Sequence, residues 1–377
     1  MKLFFWQNTN SIHQSAFFNA LANVNGYEVT LIITEALSAK RVSMGWKEPV
    51  LTGVKVVSAA DFVNNWQSII DANSGVDCIH VFSGIAAFPG VHQAFKYAVA
   101  RKCIIGVLSE PMDERGWKGK LRMLRGYVHK MQYGKKIAFL LGIGGQAVRQ
   151  YQQWGYAPRQ IFHWAYTIER LAGKQQERPA NQLFKLAFVG SMIHRKGYDL
   201  LIQALESIGN DAAFSADFYC VEQANKEQAL AVQNASSLKE KLRLLDFLPN
   251  EVMRERIAAY DLLVLPSRHD GWGAVISEAL MAGTPVLVSK FCGSSVFINK
   301  NAAFLGEVIE DCSVAGIASL LQNCMKQGTV TDEQRQLIKN WAGANISGEA
   351  MAGYFSQIVH YVHSTDHNNK PYTAWSK

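Results

Sequence analysis

Residues Asp261 to Ser289 read DLLVLPSRHDGWGAVISEALMAGTPVLVS. An apolar run ends at Pro266, a polar loop carries Asp270 and Gly271, and a helix opens near Gly273. Gly283 stops that helix before Pro285 begins another apolar run. Strand, loop, helix and strand in that order form the repeating unit of a parallel sheet, because parallel neighbours need a crossover and a helix supplies it. Glu278 follows Asp270 by eight residues, about two helical turns. Carboxylates accept paired hydroxyls well, so two at this spacing suit the two ends of one extended ligand, a ribose and a hexose. Read singly, Asp270 serves equally as a helix cap and Glu278 as a solvated helix residue.

Working outward, the same alternation recurs. Leu183–Val189, Ala216–Cys220, Leu262–Leu265 and Pro285–Val288 read as strands of a second domain. In the first half, Leu3–Phe5, Val29–Ile33, Cys78–Phe82, Cys103–Leu108 and Ile137–Leu141 are strands, and Ser15–Asn23 and Val91–Ala100 have helical periodicity. RLAGKQQERPANQ (Arg170–Gln182) has no apolar period and reads as an interdomain linker. The expected organisation is a first domain over 1–170, a linker over 171–182 and a second domain over 183–347. A last helix near 348–365 has Met351, Tyr354, Phe355, Ile358, Val359 and Val362 on one docking stripe, completing the first domain, and a poorly ordered tail covers 366–377. The fold class is α/β, with two Rossmann-like domains facing each other across a cleft and the site in strand-to-helix loops.

Upstream, FVGSMIHRKGYDLLIQAL (Phe188–Leu205) leaves a strand through Gly190 and Ser191, presents Arg195 and Lys196, and enters a helix after Gly197. A glycine turn, two cations and a helix start suit a diphosphate; two solvated cations at a helix start give the same local sequence.

Composition narrows the class. With 377 residues, 49% hydrophobic and 18% charged, the chain is globular and larger than one core usually holds. No apolar run reaches the roughly 18 residues of a membrane span. Cys78, Cys103, Cys220, Cys292, Cys312 and Cys324 form no CxxC pair, which predicts neither disulfides nor a zinc knuckle and fits a cytoplasmic protein. The net charge of +7 is uneven, because Arg115 to Ile168 contains no acidic residue.

The two blocks together resemble glycosyltransferase family four (glycosyl transferases group 1), whose hallmark is Glu, seven residues, Glu within PS-x-x-E-G-x-G-x-x-x-x-E-A-x-x-x-G-x-P-V; this chain has PSRHDGWGAVISEALMAGTPV. The upstream segment resembles that family's G-R-x-x-x-x-K-G-x-x-x-L-I-x-A block. The resemblance implies the GT-B fold, a nucleotide-sugar donor, retention of anomeric configuration, and a glycan or lipid-linked glycan acceptor in surface-polysaccharide synthesis. It implies that Lys196 contacts the donor diphosphate, Glu278 the ribose, and Asp270 the transferred sugar. Gly293, Ser294 and Ser295 would offer backbone N–H groups to the diphosphate, and Gly271 and Gly273 complete the donor loop. Backbone near Val221 and Leu248 would hold the base. Asp270 replaces the usual Glu, and Ser191 stands where an arginine is usual, leaving Arg195 as a second phosphate contact. No Asp-x-Asp or metal-ligand spacing appears, so no cofactor or metal is expected.

Signals in the first half are thinner. Asn10, His13 and Gln14 follow the first strand and are candidate acceptor contacts, although Ser11 or Asn10 capping a helix explains them as well. Glu110 stands where many relatives of that family carry a donor-touching histidine and is the candidate catalytic replacement, a solvated loop carboxylate being the alternative, and His80 within CIHVF reads as an interior histidine. The stretch Gly116–Lys136 mixes Trp117, Leu121, Leu124, Tyr127 and Met131 with many Lys and Arg. It suits an anionic inner-membrane surface, or equally a solvated face over a core helix. Rival classes lose ground: Gly142, Gly144 and Ala147 fit G-x-G-x-x-A, but no acidic residue precedes Glu169 to bind a nicotinamide ribose. The basic charge comes without a nucleic-acid-binding motif, so no nucleic-acid partner is expected, and epimerase or phosphorylase chemistry on the same fold is the remaining alternative.

Overall fold

The computed structural model describes residues 1–37, 48–169, 183–209, 212–238, 240–364 and 368–376. The expected linker 171–182 lies outside them. The chain divides into two units, Met1–Glu169 with Asn345–Lys377, and Arg170–Ala344.

In the first unit, β1 (Lys2–Gln7), β2 (Glu28–Ile33), β3 (Lys55–Val57), β4 (Cys78–Ser83), β5 (Ile104–Ser109), β6 (Phe139–Ile143) and β7 (Ile161–Trp164) form one sheet in the order β3-β2-β1-β4-β5-β6-β7. Every pairing is parallel. Leu3 to Trp6 are all buried, which is why β1 reads as an unbroken apolar run: helices cover both faces of such a sheet. The chain winds outward in both directions from the β1/β4 junction, the place where open sheets bind ligands. His80, in β4, is fully buried. It accepts from Trp6 Nε1 at Nδ1 (3.1 Å) and donates from Nε2 to the Asn73 carbonyl (2.8 Å), so it is the satisfied interior group its sequence setting suggests.

The helix Gly348–His363 completes this unit, ending two residues earlier than expected. Its Phe355 ring lies 5.6 Å from both Phe5 and Phe17. Gly348 permits the approach, since a Cβ there would stand 2.1 Å from the Ala16 carbonyl oxygen. Of the tail expected to be poorly ordered, residues 368–376 are described, and they make contacts the sequence did not reveal. Lys370 Nζ donates to the Pro158 (2.8 Å) and Ile161 (2.6 Å) carbonyls, and Trp375 is buried.

The second unit has β8 (Phe184–Val189), β9 (Phe214–Val221), β10 (Leu242–Asp246), β11 (Leu262–Leu265), β12 (Val286–Ser289) and β13 (Gly306–Ile309) in the order β10-β9-β8-β11-β12-β13, again parallel throughout. Its switch point is β8/β11, so the two loops singled out by sequence leave adjacent strands at their carboxyl ends. Among the described residues, no helix is long and apolar enough to cross a membrane.

Candidate functional site

Backbone and side chain staple the loops after β8 and β11 together. The helix Tyr198–Ile208 opens at Gly197, whose φ is 74°, and a Cβ there would sit 2.2 Å from the Pro266 carbonyl oxygen. Only glycine tolerates both the left-handed backbone and that approach. The Arg268 amide donates to the Arg195 carbonyl (2.9 Å), and Arg195 Nη1 donates to the His269 carbonyl (2.9 Å). The Arg268 guanidinium forks onto both Asp199 oxygens at 2.7 Å. Arg195 is thus partly spent on the adjoining loop, a use its sequence position did not indicate.

Within this frame Lys196 Nζ meets Asp270 Oδ2 at 2.5 Å, both side chains largely shielded from solvent. The Lys196 stem passes near Gly190, where an added Cβ would lie 3.7 Å from Cδ; Ser191 beside it accepts the Ile193 amide (2.8 Å). Two residues assigned to opposite parts of a ligand are therefore direct partners.

Asp270 is fixed by the turn after β12. Its amide donates to the Phe291 carbonyl (3.0 Å) and its carbonyl accepts from Gly293 (3.2 Å). Gly293 lies against Gly271, whose carbonyl oxygen would be 2.1 Å from a Cβ. The helix Ala274–Ala282 is capped by Gly273 at φ 80°, so Asp270 is not its cap. The expectation for the 293–295 turn needs correcting. The amides of Gly293 and Ser294 donate to the Asp270 and Trp272 carbonyls (3.2 and 2.9 Å), joining the two loops, and the Ser295 amide closes its own turn on the Cys292 carbonyl (3.1 Å), so all three are engaged within the protein. The Ser294 hydroxyl is buried as well, donating to the Gly273 carbonyl (3.4 Å).

Glu278 sits on the inner side of the helix Ala274–Ala282 with 5% of its surface exposed. Burial pushes its carboxyl above the usual range. Asn250, donating from Nδ2 to Oε1 (2.8 Å), and the Arg254 charge pull it back. Sequence reasoning missed Asn250, which belongs to no motif and lies 28 positions away. Val221, the last residue of β9, is buried and its carbonyl accepts the Phe247 amide (3.2 Å); Leu248 follows, half-buried.

The first-unit candidates are less convergent. Gln14 is buried, its Oε1 accepting from Gln7 Nε2 (2.7 Å), and Asn10 is buried with Nδ2 on the Pro49 carbonyl (3.0 Å). Both are committed internally, which corrects their reading as open acceptor contacts, although Asn10 Oδ1 has no partner among the described residues. Ser11 caps the helix Ile12–Ala22. His13 is half-buried, its ring 5.6 Å from Tyr166, and the Tyr166 hydroxyl donates to exposed Glu110 at Oε1 (2.6 Å). Tyr166 is the unforeseen member of that group.

The basic stretch forms the helix Gly116–Tyr133. Its buried side is Gly119, Gly126 and His129, while Trp117 (68%), Leu121, Leu124, Tyr127 and Met131 (79%) are exposed. The apolar stripe therefore points outward beside exposed Lys118, Lys120, Arg122 and Arg125, which removes the core-helix alternative.

Residues 170–342 match the family model of glycosyl transferases group 1. The chain is 33% identical over 104 residues to a 2-deoxystreptamine glucosyltransferase of Streptomyces kanamyceticus, covering 27% of this chain and 26% of that protein. It is 31% identical over 110 residues to the lipopolysaccharide glucosyltransferase WaaG of Escherichia coli, covering 29% of each. The chain thus spans between a quarter and a third of these relatives. In fold it is similar to Anabaena Alr3699/HepE, solved in complex with UDP, with a TM-score of 0.70 at 12% identity, covering 96% of this chain and all of that one.

Proposed function

We propose, from the premise that residues 170–342 form a domain of the glycosyl transferases group 1 family, that this chain moves a sugar from a nucleotide-sugar donor to an acceptor glycan with retained configuration. The observation that carries the reading is the Lys196–Asp270 pair at the carboxyl ends of β8 and β11, with ionisable Glu278 buried on the next helix. Departure of a nucleoside diphosphate develops negative charge on its phosphates, and a fixed ammonium lowers that barrier without a metal. Lys196 takes that role, with Arg195 beside it. Asp270 orients hydroxyls of the transferred sugar, and Glu278 accepts from the ribose. Retention is supported by the family pattern alone.

The acceptor is a membrane-borne glycan on this reading, and the helix Gly116–Tyr133 docks the chain on an anionic bilayer. An outward apolar stripe flanked by Lys and Arg is what such a surface attracts, the rings and aliphatic groups entering the headgroup boundary while the cations meet lipid phosphates. The similarity to a lipopolysaccharide glucosyltransferase supports this direction.

A thermal-shift panel of UDP- and GDP-sugars tests the core of the proposal. One donor at millimolar concentration should raise Tm selectively, and no stabilisation by any of them would remove the basis for it.

A further inference from the structure

Asn250 opens the helix Asn250–Ile257, which packs on the helix Ala274–Ala282. Its amide hydrogen bond to Glu278 Oε1 at 2.8 Å joins the two helices, with Glu278 buried and Asn250 half-buried. A glutamate carboxylate turns about its Cγ–Cδ bond, and a hydrogen bond to one oxygen fixes that rotation, so the second oxygen has a defined direction.

We infer that Asn250 is a positioning residue for donor recognition: it holds the Glu278 carboxylate so that the remaining oxygen accepts the cis-diol of a ribose. This rests on the proposed nucleotide-sugar reading.

Three observations support it. The bond is made to a buried side chain, where a lone carboxylate would be costly. The N-terminal end of the Asn250–Ile257 helix, with Arg254 one turn on, lies on the same side and favours the ionised form, which accepts from both hydroxyls of a diol. Among the described residues, the two strands and the turn packed on the Glu278 helix carry no charged side chain. β11 is LLVL, β12 is VLVS, and the turn Gly293–Phe297 is GSSVF.

The inference separates Asn250 from residues acting at the anomeric carbon. A ribose contact is made equally before and during sugar transfer, so its loss weakens donor binding and leaves the chemical step nearly untouched. It also acts only through the diol.

The test is calorimetric titration of the full chain, wild type, Asn250→Ala and the near-isosteric Asn250→Asp, with UDP, GDP and their 2′-deoxy counterparts. For whichever ribonucleotide the wild type binds, both variants should lose roughly ten- to a hundred-fold in affinity at pH 6.5. Most of that loss should vanish with the 2′-deoxy form. With Asn250→Ala the deficit should shrink as the pH is raised, because burial holds the Glu278 carboxyl above its usual range and a higher pH replaces the help the amide gave. Transfer should show a raised donor KM with kcat within about three-fold. Equal losses for ribo- and deoxyribonucleotide, or wild-type affinity in both variants at wild-type Tm, would overturn the positioning role alone. A wild-type chain that binds neither UDP nor GDP would overturn the donor reading and this inference with it.

Discussion

Lys196 Nζ and Asp270 Oδ2, 74 residues apart in the chain, meet at 2.5 Å. Each neutralises the other in a setting where neither has much solvent to do so. Removing either partner leaves the other charged and shielded. Lys196→Met and Asp270→Asn should each lower kcat by about a hundred-fold or more, and the double variant should be little worse than either single one. Single-turnover assays with labelled donor decide this: multiplicative losses would mean the two act separately.

Gly197 makes the approach of its loop to Pro266 possible. Gly197→Ala combines a left-handed backbone with a carbonyl oxygen 2.2 Å from the new methyl carbon. It should destabilise the second unit by about 2 kcal/mol or more. That corresponds to a fall of roughly 4–8 °C in its calorimetric transition. An unchanged transition would show that the loops do not need this contact.

His80 makes the first unit sensitive to acid. Its pKa is lowered by burial from 6.5 to about 4, so between these values the unfolded chain holds a proton that the folded chain refuses. The stabilisation is therefore complete above about pH 6.5 and is lost as pH falls towards 4, by about 3 kcal/mol in all. His129 and His163, each also lowered by burial to about 4, add in the same direction. Urea midpoints should drop steadily between pH 6.5 and 4.5, and His80→Gln should flatten that slope. An equally steep slope in the variant would assign the effect elsewhere.

Flotation with vesicles containing phosphatidylglycerol tests the Gly116–Tyr133 helix. Wild type should float at low salt. Lys118→Glu with Arg122→Glu, or Trp117→Ser with Leu121→Ser, should keep the chain in the soluble fraction with Tm unchanged, since none of these side chains is buried. Equal flotation of the variants would dismiss the docking face.

The strand runs were legible because parallel strands buried on both faces are apolar throughout, and Lys196, Asp270 and Glu278 stood out through spacing. What spacing withholds is partnership. Nothing local says that Lys196 and Asp270 touch, that Asn250 reaches Glu278, or that Tyr166 reaches Glu110, because these depend on which strands are neighbours. The 293–295 turn shows the converse: its glycine and serines resemble an anion cradle, yet its amides close onto the preceding loop and onto the turn itself. Short strands such as Lys55–Val57 and Gly306–Ile309 escaped notice because few residues leave no period to count. The stripe at Trp117, Leu121 and Leu124 suited a membrane surface or a core helix from periodicity, which reports a face but not its direction.

Phe355 fills the space between Phe5, Phe17 and Phe139, yet it is translated after the whole of the second unit. On the ribosome the amino-terminal half must wait, its aromatic centre unsealed, while an entire neighbour is synthesised and free to fold. Its final closure has the slow character of contacts distant in sequence, and during that interval it is the half that holdase chaperones would be expected to guard.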